Sequence, residues 1–419
     1  MSSPPAAVPL RKNRDFILLW SGQVVSTVGS EVSALAFPLL VLALTHSPRD
    51  AGIVGFARSL PFLFVYLPAG VYVDRWNRKY VMLAADAGRV LAIGSVAVWI
   101  ALGTPPLAWL AVASALEGTF FVFFQLAESA ALPAVVPKEH LPQAIAQNQA
   151  RMQGAGLVGS PLGGALFGLS RLLPFAADAV SYAVSFVSLL FVRPAFQGER
   201  RRDGRNLRAE VSEGLGWLWR QRFLRTVTAL VAGTNFVHQA LALVLIVRLK
   251  DLGASPALIG VVFSILSVGS IAGALVAPRV QRRFPPQVIV LGSLWIWPAQ
   301  TAVLFLLSSP LAIDVVTAAG FVSGPIFNVV VGAYRYALVP EHLYGRVASA
   351  SLLFAWGSIP LGALFAGYGL AAWGAKPMLL VLAAILLLVA VAATASRDIR
   401  NAPPPEELPA AATPATMEA

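Results

Sequence analysis

The segment that decides the fold is Gly70-Val71-Tyr72-Val73-Asp74-Arg75-Trp76-Asn77-Arg78-Lys79, a charged turn between two long apolar runs. A related pattern, Gly273-x-x-x-Ala277-Pro278-Arg279-x-x-Arg282-Arg283, stands 203 residues later. Two further pairs follow in the same order: Pro137-Lys138-Glu139-His140-Leu141 with Pro340-Glu341-His342-Leu343, and Pro161-Leu162-Gly163 with Pro360-Leu361-Gly362. Three repeated patterns at similar offsets indicate that the chain consists of two similar halves.

The composition excludes a soluble protein. Of the 419 residues, 57% are hydrophobic and only 12% are charged, with a mean hydropathy of +0.73, whereas a soluble domain carries about 25% charged residues. The chain has no cysteine and four scattered histidines, so thiolate chemistry is excluded and we expect neither a metal site nor a cofactor. The net charge of +11 is explained by basic cytoplasmic loops rather than by nucleic-acid binding.

The apolar runs are long enough to cross a membrane, because a bilayer core of about 30 Å needs roughly 20 residues of helix. We count twelve runs, so the predicted fold is an all-α membrane protein with twelve transmembrane helices in two six-helix pseudo-repeats. Such repeats place a binding site between them, near the middle of the bilayer. The runs lie near residues 16–44, 51–73, 80–101, 107–132, 144–169, 172–192, 224–248, 255–277, 286–308, 311–334, 346–371 and 375–395.

Lys and Arg are distributed unevenly over the loops. If the N-terminus is cytoplasmic, 23 basic residues lie in inside segments, 5 in outside segments and 3 within spans, which accounts for all 31. This bias predicts a multi-pass protein of the cell membrane with both termini in the cytoplasm. The predicted parts are a cytoplasmic N-terminus at 1–15, six-helix bundles at 16–192 and 224–395, a linker with an interfacial helix at 193–223, and a disordered cytoplasmic tail at 396–419.

The segment 70–79 resembles the signature of the major facilitator superfamily between its second and third spans, with Asn77 where the family prefers glycine. Asn tolerates positive φ better than most residues, so we expect the turn to survive. The stretch 16–23, with Leu60-Pro61 and 67–70, resembles the branch that holds enterobactin exporters and macrolide efflux proteins. The resemblance covers residues 14–398 and implies the major facilitator fold and a transport function.

The resemblance also implies two groups of site residues. Asp74 would meet the N-terminal end of span 11 near Arg346 and lock the cytoplasmic side closed, the alternative being a static anchor for the loop. Gly70 would let two helices approach closely. The predicted gating residues are Gly70, Asp74, Arg75, Arg78, Lys79 and Arg346. Span 5 resembles the antiporter motif of drug exporters, and its predicted motif residues are Gly159, Pro161, Gly163 and Gly164.

Ionisable residues inside apolar spans are costly and therefore point to function. Glu31, halfway along span 1, suits reversible protonation or a cationic substrate, unless it is a buried, neutral, hydrogen-bonded side chain. Asp86 and Arg89 stand three residues apart, so they can pair on one helix face, while Arg58 could pair with Glu31. Arg151 either lines the cavity or reaches the cytoplasmic surface. The predicted coupling and cavity residues are Glu31, Arg58, Asp86, Arg89, Glu117 and Arg151.

Neutral polar side chains stand in the spans of the second half. They are candidates for substrate contact, although hydrogen bonds between helices explain such residues equally well. The candidates are Asn235, His238, Gln239 and Asn328. Asp178 and Asp314 lie near the outer ends of spans, where we expect helix capping or exposure. We therefore predict that the first half carries the coupling chemistry.

These features favour a secondary exporter over an enzyme. The sequence has no His-Glu-x-x-His, Gly-x-Ser-x-Gly or Gly-Lys-[Ser/Thr] motif, so we expect neither intramembrane hydrolysis nor ATP-driven pumping. We expect a monomeric, proton-coupled antiporter that moves a bulky amphipathic compound (a drug, or a macrolide-like or siderophore-like molecule) by alternating access. Its partners would be that small molecule, protons and membrane lipids, with no nucleic acid. The alternative is export or uptake of an endogenous lipid-like metabolite without proton coupling.

Overall fold

A computed structural model of the chain describes residues 9–193, 196, 207–340 and 343–404, without the side chains of 207–211. Every regular element in these ranges is a helix, which confirms the predicted all-α class. The second Glu-His pair of the repeat, at 341–342, residues 194–195 and 197–206 of the predicted linker, and the tail beyond residue 404 lie outside the described residues.

The chain divides into two compact units: Met1–Asp203 with Ala254–Ser264 (unit 1), and Gly204–Gly253 with Ile265–Ala419 (unit 2). The predicted domain boundaries themselves stay a prediction. The helices of the first unit in chain order are α1 (Arg14–Thr45), α2 (Pro48–Phe64), α3 (Tyr66–Arg75), α4 (Arg78–Leu102), α5 (Leu107–Val135), α6 (Leu141–Leu169) and α7 (Leu173–Leu190).

The remaining helices follow along the chain, and the first residues of α10 belong to unit 1. They are α8 (Leu207–Arg220), α9 (Arg222–Asp251), α10 (Pro256–Arg283), α11 (Pro286–Leu306), α12 (Pro310–Phe321), α13 (Ser323–Leu338), α14 (Tyr344–Trp373), α15 (Ala375–Ala395) and α16 (Arg397–Arg400). Within unit 2, α9 packs against α14 and α15, and α11 packs against α15.

Ten helices of the described chain are long and apolar enough to cross a membrane, with Pro310–Leu338 counted once, and α2 with α3 makes an eleventh span bent by 54°. Pro68 explains that bend, because it has no N–H to donate to the carbonyl of Phe64. The twelfth span is α6, whose 29 residues are long enough but whose first half is polar. The predicted count of twelve therefore agrees with the helices.

The N-terminal ends of two helices are fixed by asparagine. The side chain of Asn13 accepts a hydrogen bond from Phe16 N at 3.1 Å and donates to Val135 O at 2.8 Å, so it caps α1 and ties it to the end of α5. Asn77 caps α4 by accepting from Lys79 N at 3.0 Å. An N-cap residue takes an extended backbone, and Asn77 has φ −67°. The turn between α3 and α4 therefore forms with Asn77 as a helix cap and without a positive φ at that residue.

Small residues bring α1 close to α7. A Cβ atom on Gly22 would lie 2.9 Å from Ser188 Cβ, and one on Gly29 would lie 2.7 Å from Asp178 Oδ1. Residues of this size allow two helix backbones to approach closely within a membrane. Polar side chains of α7 thereby reach α1 in the interior of unit 1.

Candidate functional site

Glu117 of α5 is the centre of a buried polar cluster, which we define as Ser30, Arg58, Asp86, Arg89, Glu117, Tyr182 and Ser185. The carboxylate is 1% exposed. Its Oε2 accepts from Arg58 Nε at 2.9 Å, and its Oε1 accepts from Tyr182 OH at 3.3 Å and from Arg89 Nη2 at 3.4 Å. One carboxylate of α5 is therefore bonded to α2, α4 and α7.

Arg89 is the second centre of the cluster. Its Nη2 donates to Ser30 Oγ and Tyr182 OH, each at 3.0 Å. Its guanidinium lies 3.9 Å from the centroid of the Tyr182 ring, a distance typical of a cation–π contact. Asp86 Oδ1 lies 3.8 Å from Arg89 Nη1, so the predicted pair on one face of α4 is present.

A chain of hydrogen bonds leads from Asp86 to α1. Ser185 Oγ donates to Asp86 Oδ2 at 2.6 Å, and Gln23 Nε2 donates to Ser185 Oγ at 2.7 Å. Asp86, Ser185 and Gln23 are all buried. Polar groups withdrawn from water are tolerated when hydrogen bonds satisfy them, and this chain supplies those bonds between α4, α7 and α1.

The contact between Arg58 and Glu117 depends on a glycine. A Cβ atom on Gly118 would clash with the backbone carbonyl oxygen of Arg58. The absence of a side chain at Gly118 lets α2 and α5 approach at this level, next to Glu117. The sequence left open whether Arg58 pairs with Glu31. In the structure Arg58 forms its ion pair with Glu117.

Glu31 lies on the side of α1 that faces α6, where its Cβ would be 2.5 Å from a Cβ on Gly159. Within the described part of the chain its carboxylate makes no hydrogen bond or ion pair. Arg58 is the cation that acts on it electrostatically. Among the predicted coupling carboxylates, Glu31 is therefore the one that forms no ion pair with a described arginine.

Arg151 does not extend to the surface. Its Nη1 and Nη2 donate to Glu128 Oε1 and Oε2 at 2.6 and 3.1 Å, and both side chains are largely buried between α5 and α6. A two-point pair of this kind fixes orientation as well as charge. Sequence reasoning missed Glu128, although it stands eleven residues after Glu117, about three helical turns, and so on the same helix face.

Two expectations for the span ends are wrong. Asp178 is 0% exposed and Asp314 is 3% exposed, so neither is a surface residue or a simple cap. Asp178 lies against α1 and accepts from Ser181 Oγ at 3.2 Å. The missed signal is a polar stripe on α7 at helical spacing, formed by Asp178, Ser181, Tyr182 and Ser185.

Two of the predicted gating residues hold the ends of neighbouring helices. Arg78 Nη1 donates to Ala130 O at 2.8 Å and to Phe196 O at 3.1 Å. Lys79 Nζ donates to Val192 O at 2.6 Å and to Leu190 O at 3.2 Å. Cations near helix C-termini satisfy free carbonyls and oppose the helix dipole. Arg78 and Lys79 therefore tie the α3–α4 turn to its neighbours, and their predicted part in gating stays a prediction.

Three other predicted gating residues, Gly70, Asp74 and Arg75, make no such contacts with helix ends among the described residues. Asp74 and Arg75 are exposed. A Cβ on Gly70 would meet no described atom within 4 Å, so its predicted role in close helix approach is wrong. Its counterpart Gly273 does have that role, because a Cβ there would clash with the carbonyl oxygen of Val322 at the end of α12. The predicted gating contact of Asp74 stays a prediction.

Arg346, in the first turn of α14, forms an ion pair with Glu213 of α8. Beside it, a Cβ on Gly214 would lie 2.6 Å from the carbonyl oxygen of Arg346, so α8 packs directly on the start of α14. A positive charge at a helix N-terminus is unfavourable, and a carboxylate beside it compensates. The helix predicted in the linker is present, and its interfacial position stays a prediction.

Three glycines of the antiporter-like motif lie at close contacts of α6. A Cβ on Gly159 would be 2.8 Å from Val28 O, and one on Gly163 would be 2.7 Å from Val32 O. A Cβ on Gly164 would clash with the carbonyl oxygen of Pro256, at the start of α10 in unit 1. Pro161 lies inside α6. The motif residues therefore have a packing function, and a role in antiport stays a prediction.

The substrate-contact candidates of unit 2 do not form one cluster. Asn235 Nδ2 donates to Ala355 O at 2.8 Å, which is a hydrogen bond between α9 and α14. The His238 ring packs edge-on against Trp297 at 5.0 Å and lies 5.7 Å from Phe321. Gln239 is half-buried, and Asn328 of α13 is exposed. The described residues contain no group of acidic or histidine side chains arranged to hold a metal ion.

The membrane-spanning helices with charges buried among them are those of a multi-pass membrane protein, and its family and efflux relatives make it a transporter of small molecules, not an enzyme. The chain belongs to the family described as "Transmembrane secretion effector", whose model matches residues 4–415. This confirms the resemblance to the major facilitator superfamily.

The chain is similar to curated efflux proteins along nearly its whole length. It is 28% identical to the multidrug efflux pump Tap of Mycobacterium tuberculosis (strain ATCC 25618 / H37Rv), over 93% of this chain and 95% of that protein. It is 24% identical to macrolide efflux protein A of Streptococcus pyogenes, over 92% and 96%. A solved bacterial homologue of the human lysosomal transporter Spinster superposes with a TM-score of 0.70 at 14% identity, covering 91% of this chain and 96% of that one. This likeness shows the fold alone.

Proposed function

We propose that the protein exports a bulky amphipathic, drug-like compound from the cytoplasm by proton antiport, through alternating access. The similarity to proteins named for multidrug and macrolide efflux supports the substrate class. The observation that carries the proposal is the buried polar cluster of unit 1, where two guanidinium groups surround Glu117. The helical bundles at 16–192 and 224–395, both termini in the cytoplasm and a monomeric state belong to the same proposal.

Charge inside a membrane bundle needs a function, because each ionisable residue costs about 2.5–3.5 kcal/mol on insertion scales. The cluster and the Glu128–Arg151 pair place several such residues in four spans. Paired charges that rearrange with conformation are suited to coupling ion movement to transport. A static scaffold would be stabilised as well by apolar side chains.

Glu31 is the proposed proton carrier. Glu117 is bonded to Arg58, Arg89 and Tyr182, so a proton at Glu117 would displace two guanidinium groups. A proton at Glu31 breaks no hydrogen bond or ion pair among the described residues. Arg58, bonded to Glu117 and acting electrostatically on Glu31, links the two carboxyl groups. Protonation of Glu31 would thus change the balance of charge around Arg58.

Aromatic side chains of unit 2 support an apolar, ring-bearing substrate. Trp297 lies 5.0 Å from the His238 ring and 5.4 Å from Phe327. Aromatic rings provide large contact areas, with polar edges that fix orientation. The half-buried His238 and Phe321 are our candidates for the substrate-facing part of unit 2, supported by the buried Trp297 and Phe327.

The test is drug susceptibility of cells with and without expression of the protein, across macrolides, other antibiotics and lipophilic cations. We expect expression to raise the inhibitory concentration of at least one compound, and a protonophore to restore its accumulation. Resistance that a protonophore leaves intact would favour the alternative, transport without proton coupling. No change for any compound would contradict drug export.

A further inference from the structure

A groove opens on the surface of unit 1 beside the turn between α3 and α4. Its volume is about 560 Å³, within the range of sites that bind drug-sized or larger ligands. Arg75 and Trp76 lie at one end, Tyr80 and Ala84 line one wall on α4, and Phe120 and Phe123 of α5 form the apolar floor. None of the contacts within the buried polar cluster passes through this groove.

The end of the groove at the α3–α4 turn carries a positive charge, that of Arg75, which pairs with no carboxylate among the described residues. Arg78 and Lys79 donate to backbone carbonyls near the ends of α5 and α7, so donor groups of both side chains are already engaged. Arg75 is exposed and forms no ion pair with any described residue. An anionic group on a ligand would therefore find its counter-charge at Arg75.

The rest of the groove has the character of a membrane surface. Trp76 is 54% and Tyr80 is 69% exposed, and aromatic residues of this kind are enriched where membrane helices meet the headgroup layer. From Arg78 to Ala85 the α4 helix rises by about 10 Å, against about 15 Å for half the hydrocarbon core. The groove thus runs from the level of the headgroups well into the hydrocarbon.

We propose that this groove binds one anionic phospholipid, with its phosphate at Arg75 and an acyl chain along Ala84, Phe120 and Phe123. Basic loops mark the cytoplasmic side, and the cytoplasmic leaflet is the one that carries anionic lipids. The positive charge of Arg75 matches the phosphate of such a lipid, and the apolar floor matches its acyl chain. A lipophilic cation would fit the floor but would be repelled by Arg75.

The test is native mass spectrometry of the purified full-length chain in detergent, titrated with phosphatidylglycerol and with phosphatidylcholine of the same acyl chains. We expect tighter binding of phosphatidylglycerol. The substitution Arg75→Gln should weaken it about fivefold, the effect of one basic side chain at a lipid surface. The matched control is Arg279→Gln, an exposed arginine of the repeated motif that does not line the groove.

A second pair of variants tests the apolar floor. Ala84→Trp would fill the groove and should weaken binding of both lipids, whereas Leu91→Trp, an exposed position two turns further along α4, should not. Both positions are exposed, so thermal unfolding should show that the variants remain folded. Equal binding of the two lipids, equal effects of Arg75→Gln and Arg279→Gln, or no effect of Ala84→Trp would each overturn the proposal. The assay measures no transport, so its outcome is independent of drug export.

Discussion

Glu117 shows how much of the structure one buried charge organises. Its carboxylate is bonded to Arg58, Arg89 and Tyr182, which belong to three other helices of unit 1. Arg89 is 2% exposed, so its guanidinium is withdrawn from water, whereas the Arg58 side chain is 26% exposed. The carboxylate is therefore the counter-charge that allows both cations to remain inside the bundle.

We predict that Glu117→Gln destabilises the protein strongly. Removing one partner of a buried ion pair leaves an uncompensated charge and costs about 3–5 kcal/mol. Thermal unfolding of the purified protein in detergent should show a marked fall in Tm. The control is Glu31→Gln, which breaks no hydrogen bond or ion pair among the described residues and should leave Tm nearly unchanged. Similar Tm values for the two variants would contradict the assigned roles.

At this scale the sequence identified the charged residues but only one of their pairings. Asp86 and Arg89 share a helix, so their spacing was sufficient to predict contact. The partner of Arg58 depends on how closely α2 approaches α5 at Gly118, which no local pattern contains. The sequence analysis missed Tyr182 because a single tyrosine within an apolar span is not unusual. Only its helical spacing from Asp178 marks it as part of a polar stripe on α7.

At the scale of elements, the contact between α1 and α6 likewise depends on how closely two helices approach, which the sequence does not state. Gly154, Gly159, Gly163 and Gly168 all stand on α6, and of these the motif resemblance singled out Gly159 and Gly163. In the structure Gly159 and Gly163 lie against the α1 backbone, whereas a Cβ on Gly154 or Gly168 would meet no described atom within 4 Å. Glycine can permit close approach at any of these positions, and the helix crossing decides where it is needed.

We predict that Gly159→Ala destabilises the protein and Gly154→Ala does not. The new Cβ at residue 159 would lie 2.5 Å from Glu31 Cβ, and overpacking of this kind typically costs about 1–3 kcal/mol. At residue 154 alanine has space and a better helix propensity than glycine. Thermal unfolding of both variants in detergent provides the measurement, and an equal loss of Tm at the two positions would refute the close contact.

Element boundaries were predicted well where proline or glycine interrupts an apolar run, and internal breaks were not. The predicted span 51–73 is two helices bent by 54°, and the predicted span 311–334 is divided into α12 and α13 at Val322. Hydropathy measures whether a segment can cross a membrane, not whether it crosses as one straight helix. Asn77 is a further case, since the same residue type serves at positive φ and at helix N-caps.

At the scale of the whole molecule, buried charge is unevenly divided. Among the described residues the buried Asp, Glu and Arg side chains of unit 1 are Asp86, Arg89, Glu117, Glu128, Arg151 and Asp178, whereas unit 2 has Asp314. That the first half carries the coupling chemistry stays a prediction, which this distribution of charge favours, with Asp314 as the exception. Composition and the repeat were sufficient to predict the fold, because both are properties of the whole chain. Topology and oligomeric state stay predictions.

The central claim is that a proton gradient drives export through Glu31, and transport in inside-out membrane vesicles tests it most directly. With an imposed gradient, acidic inside, the wild-type protein should accumulate the compound identified by the susceptibility panel, and a protonophore should abolish accumulation. Glu31→Gln should abolish it as well, whereas Glu139→Gln, an exposed carboxylate in the α5–α6 connection, should not. Accumulation that persists in Glu31→Gln, or wild-type accumulation that does not depend on the gradient, would contradict the account.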